Sequence, residues 1–196
     1  MTRRIFISSA VALAPAPGAT KLEKIGDEAD MKTKRLPRVD RLAIAAARAA
    51  MGATSVEGFA LVVGTNFGGL QATADFLEGL AARGSQFGSP TAFHESVHHA
   101  PAGQISILLG ITGLSLTCSA RELSGETALK AAVDLIAAGR ARRVLVVATE
   151  VEPIALATRI LETVVSKKDF LQLADPTPAP AKSTTATAPG RRRAGR

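Results

Sequence analysis

Two short runs of apolar, largely β-branched residues place the strongest constraint on how this chain folds. Phe59–Val63 is closed by Gly64, and Val144–Val147 follows a basic turn. Runs of this length without polar alternation are typical of strands that are buried on both faces. Such strands need helices on either side, and segments with helical character lie between them. The spacing therefore predicts an α/β domain in which a sheet is sandwiched between helical layers.

The other predicted elements follow from periodicity and from capping signals. Helices are expected over 40–51, 70–83, 89–98, 122–138 and 153–165, and further strands at 5–7 and 115–119. In the helix over 122–138, the apolar side chains of one face are Leu129, Ala132, Val133 and Ile136. We interpret residues 5–7 as a buried first strand, although Arg3-Arg4 before an apolar run also imitates a secretory signal peptide.

Composition excludes several classes of function. The net charge of +7 includes five cations from the acid-free C-terminal tail, and the chain has no Trp or Tyr to stack on bases. We therefore expect no nucleic-acid partner. No run approaches the roughly 20 apolar residues of a membrane span. With 196 residues, one domain is expected over 1–170, followed by a disordered Pro/Ala/Thr/Arg-rich tail over 171–196.

The single cysteine, Cys118, permits no intrachain disulfide and fits a reducing compartment, so a cytoplasmic location is expected. A buried, inert thiol is the simpler interpretation of this residue, because it lies inside a predicted strand. The loop from Gly64 to Gly69 follows a strand as a phosphate loop would, but it lacks both nucleotide-binding fingerprints. No cofactor is expected.

One segment has the spacing of a zinc hydrolase. His94-Glu95-Ser96-Val97-His98 would place two histidines on one helix face with the glutamate beside them as general base. The motif lacks an evident third zinc ligand, and Pro101 is expected to interrupt the helix just after the motif. A polar helix edge with coincidental spacing is the competing interpretation, and no metal is expected.

The stretch from Gly113 to Leu129 reads as a strand turning sharply into a helix, with Glu122 at the turn. A thiol at that place would be activated by the helix dipole and by unpaired N–H groups. An ionised carboxylate in the same field is a poor acyl acceptor. The residue type at this turn therefore argues against covalent catalysis.

Several short segments occur in a particular order and spacing. None of them is specific by itself, but the combination indicates a protein family. They are Lys34-Arg35 with Asp40-Arg41, Val62–Leu70, Ser89-Pro90 with Phe93, Ala100–Ser106, Gly110–Gly113, and Gly139–Val147. In this order they resemble the N-terminal half of β-ketoacyl synthases, the condensing enzymes of fatty-acid and polyketide synthesis. The resemblance extends from about Arg4 to Glu150 and implies a thiolase-like half with a mixed sheet flanked by helices.

By this resemblance, Glu122 has the spacing from Gly113 and from Gly139 that the family's cysteine nucleophile has. Cys118 does not, which leaves it a minor alternative. The family's two active-site histidines lie in a C-terminal half that has no counterpart here, and all three histidines of this chain precede Glu122. Condensation by this chain alone is therefore not expected.

The resemblance also offers a role. Chain-length factors look like ketosynthases, replace the active cysteine and pair with a catalytic ketosynthase, so we expect a non-catalytic subunit in a heterodimer. Candidate acyl-pocket or dimer-edge residues are Phe93, Ser115, Thr117, Cys118, Ser119 and Glu122, and candidates for docking an acyl carrier protein are Arg140, Arg142 and Arg143. A small acyl-transferring or decarboxylating enzyme that uses Cys118 or Glu122 is the alternative.

Overall fold

The structure is a computed structural model and describes residues 4–15 and 32–151. Within this part of the chain, five α-helices and one short 3-10 turn alternate with three strands. They are α1 (Arg38–Met51), β1 (Phe59–Gly64), α2 (Leu70–Arg83), the 3-10 turn Ser85–Phe87, α3 (Pro90–Ser96), α4 (Ala100–Leu109), β2 (Ser115–Cys118), α5 (Ser124–Ala137) and β3 (Arg143–Ala148). The helix predicted over 153–165 and the tail over 171–196 lie outside the described residues.

The three strands form one sheet in the order β2-β1-β3. Both pairings are parallel, and Gly64 at the end of β1 lies opposite Cys118 of β2 and Ala148 of β3. The α/β class and the helix-flanked sheet are confirmed. The antiparallel member that a mixed sheet requires does not occur among the described strands.

The core lies on both faces of β1, as its apolar run predicts. Leu61 and Val63 face a cluster that includes Ile44 of α1 and Ile105 of α4. Val62 faces the opposite cluster, which α5 supplies through Ala128 and Ala132. Because successive strand residues point to opposite faces, one strand anchors both helical layers. Burial of each such Val, Leu or Ile side chain contributes about 1.5–3 kcal/mol.

Two glycines allow the layers to approach closely. A Cβ on Gly64 would overlap the backbone carbonyl of Ser124, and a Cβ on Gly113 would overlap the backbone carbonyl of Phe59. The contact at Gly64 places the start of α5 directly against the end of β1. The absence of a side chain at Gly64 therefore sets the distance between this helix start and the sheet.

The predicted first strand is wrong. Residues 4–15 contain no strand or helix, and Phe6 and Ile7 are 80% and 73% exposed. A strand requires a hydrogen-bonded neighbour, and no backbone hydrogen bond joins this segment to either edge of the described sheet. The apolar, β-branched composition of this segment is therefore not sufficient by itself to form a strand.

The predicted apolar face of α5 is confirmed at Ala132 but is wrong at Leu129 and Val133. The residues buried by packing on the sheet are Ser124, Ala128, Ala132 and Leu135, whereas Leu129 and Val133 are 46% and 39% exposed. Apolar residues occur on two sides of this helix, so periodicity did not distinguish the side that the sheet covers. We call Leu129 and Val133, one turn apart on the outer side, the α5 stripe.

Candidate functional site

The ends of the three strands meet at the carboxyl edge of the sheet, which is where open parallel sheets place their ligand sites. Two connections start there. The glycine loop (residues 64–69) leads from β1 to α2, and the elbow (residues 119–123) leads from β2 to α5. The backbone N–H of Thr65 donates to the Cys118 carbonyl at 3.0 Å, which fastens the start of the glycine loop to the end of β2.

The glycine loop is held by side chains from its own sequence and from the segment that follows β3. The N–H of Gly68 donates to Thr65 Oγ1 at 3.0 Å, and the N–H of Asn66 donates to Glu150 Oε2 at 2.6 Å. The hydroxyl of Ser119, in the elbow, lies 3.5 Å from the Asn66 carbonyl. Glu150 was not predicted as a site residue from the sequence. Its position directly after a parallel strand was the available signal.

The elbow contains the one non-glycine residue with positive φ in the described part of the chain, Arg121 at 54°. Left-handed backbone at such a residue costs about 1–2 kcal/mol, and Ser124 offsets it with two hydrogen bonds. Its Oγ accepts from the Ala120 N–H at 3.0 Å and donates to the Arg121 carbonyl at 2.5 Å. The predicted sharp turn is confirmed, with its strained residue at Arg121.

Glu122 lies in this turn and not in the helix, because α5 begins at Ser124; the predicted helix start is wrong by two residues. The Glu122 side chain is exposed and makes no hydrogen bond or ion pair with described residues. The N–H groups of Leu123 and Ser124 donate to the carbonyls of Ala120 and Arg121. These two donors are therefore occupied within the turn and do not form an oxyanion hole.

Cys118 is the last residue of β2 and precedes the elbow. Its half-buried side chain packs against the apolar cluster around Val62 and Ala128. Thr117, one residue earlier, has a buried hydroxyl without a partner in the described residues, whereas Ser115 and Ser119 are exposed. The structure thus brings the residues from Ser115 to Glu122 together along one edge of the sheet, with the thiol turned inward.

The two halves of the zinc motif do not share a helix. α3 ends at Ser96, and Val97 is extended, with φ −74° and ψ 148°. His98 therefore does not lie one turn above His94, and no group of three His, Cys, Asp or Glu residues within 4–15 and 32–151 is arranged to hold a metal ion. The zinc-hydrolase interpretation is wrong because the motif requires an unbroken helix. Pro101 lies in the first turn of a new helix, α4.

The three candidate docking arginines lie away from this site. Arg140 and Arg142 belong to the turn between α5 and β3, and Arg143 is the first residue of β3, so all three lie at the amino edge of the sheet, whereas the elbow is at the carboxyl edge. Arg140 and Arg142 are exposed. Arg143 donates to the Glu57 carbonyl at 2.6 Å and covers the ring of Phe59 at 4.6 Å. Arg143 therefore has a structural role.

Phe93 projects from α3, and its ring centroid lies 5.7 Å from that of Phe76 in α2. It is exposed, and α3 packs chiefly on α2, so no described contact joins Phe93 to the elbow. The backbone of α3 nevertheless reaches the glycine loop. A Cβ on Gly69 would overlap the Glu95 carbonyl, and the Thr73 hydroxyl lies 3.3 Å from the Ser96 carbonyl.

The structure also contains a buried carboxyl group that was not predicted from the sequence. Asp40, in the first turn of α1, is 1% exposed, and neither of its oxygens has a hydrogen-bond partner among the described residues. Burial, and secondly the charge of Glu95, raise the pKa of Asp40 from 3.8 to about 7. Its helical spacing with Ile44, Ala47 and Met51 on the buried face was the signal in the sequence.

The sequence over residues 10–157 matches the family described as "Beta-ketoacyl synthase, N-terminal domain". The chain belongs to this family. No curated protein matches it. Among solved structures, a chain of the ketosynthase ApeO in complex with its chain length factor ApeC, from Xenorhabdus doucetiae, is 32% identical, with a TM-score of 0.58. The match covers 67% of this chain and 53% of that one.

A second solved structure is the ishigamide ketosynthase/chain length factor, 23% identical with a TM-score of 0.54. It covers 59% of this chain and 34% of that one, and at this identity it supports the fold alone. The chain thus spans about half and about a third of these two relatives. The thiolase-like half-domain that the family resemblance implied is confirmed. Within residues 4–15 and 32–151, no helix is both long and apolar enough to cross a bilayer.

Proposed function

We propose that this chain is a non-catalytic β-ketoacyl synthase-like subunit, similar to a chain-length factor, that supports a full-length ketosynthase in a heterodimer. The observation that carries the proposal is Glu122. The family resemblance assigns Glu122 to the nucleophile position, and its carboxylate is exposed and has no hydrogen-bond partner among the described residues. A carboxylate in this position does not accept an acyl group from a thioester as a thiolate does.

Two surfaces support a partner on this side of the molecule. β2 pairs only with β1 in the described sheet, so its other edge presents free backbone groups. Leu116 on β2, Leu123 in the elbow and the α5 stripe are all exposed apolar side chains of the same region. Clusters of this kind are typical of protein interfaces, and the 32% identical relative is itself a complex of a ketosynthase with a chain length factor.

The wider setting of the proposal is type II fatty-acid, aryl-polyene or polyketide synthesis in the cytoplasm, without a cofactor or metal of its own. The synthase-like domain extends over 1–170 and is followed by a tail over 171–196. An acyl carrier protein is the other partner that we propose, and its acidic surface would meet Arg140 and Arg142. The proposed acyl-pocket or dimer-edge residues are Phe93, Ser115, Thr117, Cys118, Ser119 and Glu122.

A co-purification experiment tests the heterodimer. The chain is co-expressed with a candidate full-length ketosynthase, and we expect recovery in equal amounts. Leu116→Lys or Leu129→Lys lowers that recovery several-fold because each places a charge in the interface. Ile107→Lys on α4 is the matched control, since Ile107 is exposed but lies on the other helical layer. Equal losses for all three variants would contradict an interface at β2 and α5.

Incubation with a radiolabelled acyl thioester tests the absence of covalent catalysis. We expect no stable label on this chain, and label on the ketosynthase alone. Label on Cys118 that is lost in Cys118→Ala, or on Glu122 that is lost in Glu122→Gln, would instead establish the acyl-transferring enzyme.

A further inference from the structure

Residues 4–15, which we call the arm, expose apolar side chains and have no strand beside them. Phe6 and Ile7 are 80% and 73% exposed, and Val11 and Leu13 are each 43% exposed. No backbone hydrogen bond joins the arm to another described residue. A segment of this kind is stabilised when it adds to the free edge of a sheet, because its side chains are then buried and its backbone groups are paired.

The described sheet has a free edge on the outer side of β3. In the order β2-β1-β3, the described residues give β3 a hydrogen-bonded neighbour on one side only. Leu145 and Val147 face the cluster formed with α1 and α4, whereas Val144 and Val146 are half-buried and face the cluster formed with α5. This edge is therefore apolar on both faces. The strand that fits it best is one that is also apolar on both faces.

The arm has the pattern that this edge requires. Ile5, Phe6 and Ile7 are consecutive, so a strand formed here carries apolar side chains on both of its faces. The outer edge of β2 is different, because it exposes Ser115 on one face and Leu116 on the other. Such an edge suits a strand in which polar and apolar residues alternate. The arm therefore fits the edge of β3 and not that of β2.

The charges at the two ends of β3 favour one direction for the added strand. The exposed side chains of Arg142 and Arg143 lie where β3 begins, and the exposed carboxylate of Glu150 follows its end. The arm begins with Arg4, which is also exposed. A parallel strand would bring Arg4 towards the two arginines, whereas an antiparallel strand brings it towards Glu150. Charge complementarity therefore favours the antiparallel arrangement.

The arm and the edge belong to the same chain, but the structure forms no pairing between them within one copy. A second copy supplies both missing partners. Residues 16–31 connect the arm to the rest of the described chain and reach about 50 Å at full extension, which is enough to cross to a neighbouring molecule. In a twofold dimer, both arms and both edges are then paired at once.

We propose that this chain forms a homodimer in which residues 5–13 of each copy add as an antiparallel strand to the outer edge of β3 of the other copy. This inference goes beyond the heterodimer with a ketosynthase. The outer edge of β2 lies on the other side of β1 and stays available for that partner.

Ile7 and Ile107 form a matched pair for testing the homodimer, because each is 73% exposed in a single copy. The full chain is studied by sedimentation velocity over a range of concentrations, without a ketosynthase. We expect a dimer, and we expect Ile7→Lys to raise its dissociation constant at least about tenfold, because a charge replaces a buried apolar side chain. Ile107→Lys leaves the dissociation constant unchanged. A monomeric wild type, equal effects of the two substitutions, or a dimer weakened by Leu116→Lys and not by Ile7→Lys would overturn the proposal.

A second measurement uses the unsubstituted chain and so covers the case in which Ile7→Lys fails to fold. Equal amounts of ¹³C-labelled and unlabelled chain are mixed, and isotope-filtered NOEs are recorded. NOEs from Ile5 or Ile7 of one copy to Val144 or Val146 of the other support the proposal. If these NOEs occur only within a copy, the arm folds back onto its own β3 and the homodimer is refuted. Neither result bears on the heterodimer, which the recovery with a ketosynthase tests separately.

Discussion

The carboxylate of Glu150 accepts a hydrogen bond from the backbone N–H of Asn66 at 2.6 Å and so joins the end of β3 to the glycine loop. Glu150→Ala removes this bond. We expect the free energy of unfolding to fall by about 0.5–1.5 kcal/mol, as for a hydrogen bond in an exposed setting, and amide exchange at Asn66 to accelerate. Hydrogen exchange followed by NMR measures both. Glu57→Ala is the control, because Glu57 contributes its backbone carbonyl and not its carboxylate.

Gly69 and Gly103 form a matched pair for testing the contact between α3 and the glycine loop. A Cβ at Gly69 would overlap the Glu95 carbonyl, whereas a Cβ at Gly103, inside α4, meets open space. Gly69→Ala is expected to destabilise the fold by about 1–3 kcal/mol through overpacking. Gly103→Ala is expected to stabilise it by up to about 1 kcal/mol through helix propensity. Denaturant unfolding measures both, and changes of the same sign would contradict this packing.

Asp40 makes the stability of the fold depend on pH. Its pKa is raised from 3.8 to about 7, so the folded state binds the proton more tightly than the unfolded state does. Its contribution is complete below pH 4 and is lost as the pH rises to about 7. The upper bound of the loss is about 4 kcal/mol. Unfolding of the wild type and of Asp40→Asn is compared from pH 4 to pH 8. A difference between them that is constant across this range would refute the prediction.

Glu122→Cys tests the exposure of the elbow. In a Cys118→Ala background the new thiol stands in an exposed turn beside the start of α5, whose dipole favours the thiolate. We expect iodoacetamide to modify it at least about tenfold faster than it modifies the half-buried Cys118 of the wild type. Mass spectrometry of timed samples gives the two rates. Equal rates would mean that the elbow is covered.

A comparison of Arg143 with Arg142 tests which of these arginines has a structural role and which remains a candidate for docking a partner. Arg143→Ala removes its contact with the Phe59 ring and its bond to the Glu57 carbonyl. A loss of about 1–2 kcal/mol in the free energy of unfolding is expected. Arg142→Ala, at an exposed neighbour, should stay within about 0.5 kcal/mol of the wild type. Thermal or denaturant unfolding separates them, and a stable Arg143→Ala would return that residue to the docking candidates.

The elements that could be predicted were those with one unambiguous pattern. The uninterrupted apolar run of β1 specified a strand buried on both faces, and the sharp turn near Glu122 followed from the change from strand to helix period. α5 was oriented wrongly because its composition is apolar on two sides. The side that the sheet covers depends on Gly64 and on the contact with Ser124, which no local pattern contains.

The predictions that failed at the site depended on single residues. Val97 leaves the helical conformation and separates His94 from His98, although the intervening residues permit a helix. Asp40 was named only as part of a segment that carries the family resemblance, and its burial without a hydrogen-bond partner in the described chain was not predicted. Such properties arise from contacts between elements distant in sequence, so helical or strand spacing does not reveal them.

The positive φ of Arg121 carries one more consequence. Ser124 maintains this conformation by bonding both sides of the turn, and neither bond involves the side chain of Glu122, which we propose to stand at the family's nucleophile position. Shape and reactivity are thus specified by different residues, which allows one to change while the other persists. A chain can retain the outline of a reaction centre as a surface for recognition after the reacting atom has been replaced.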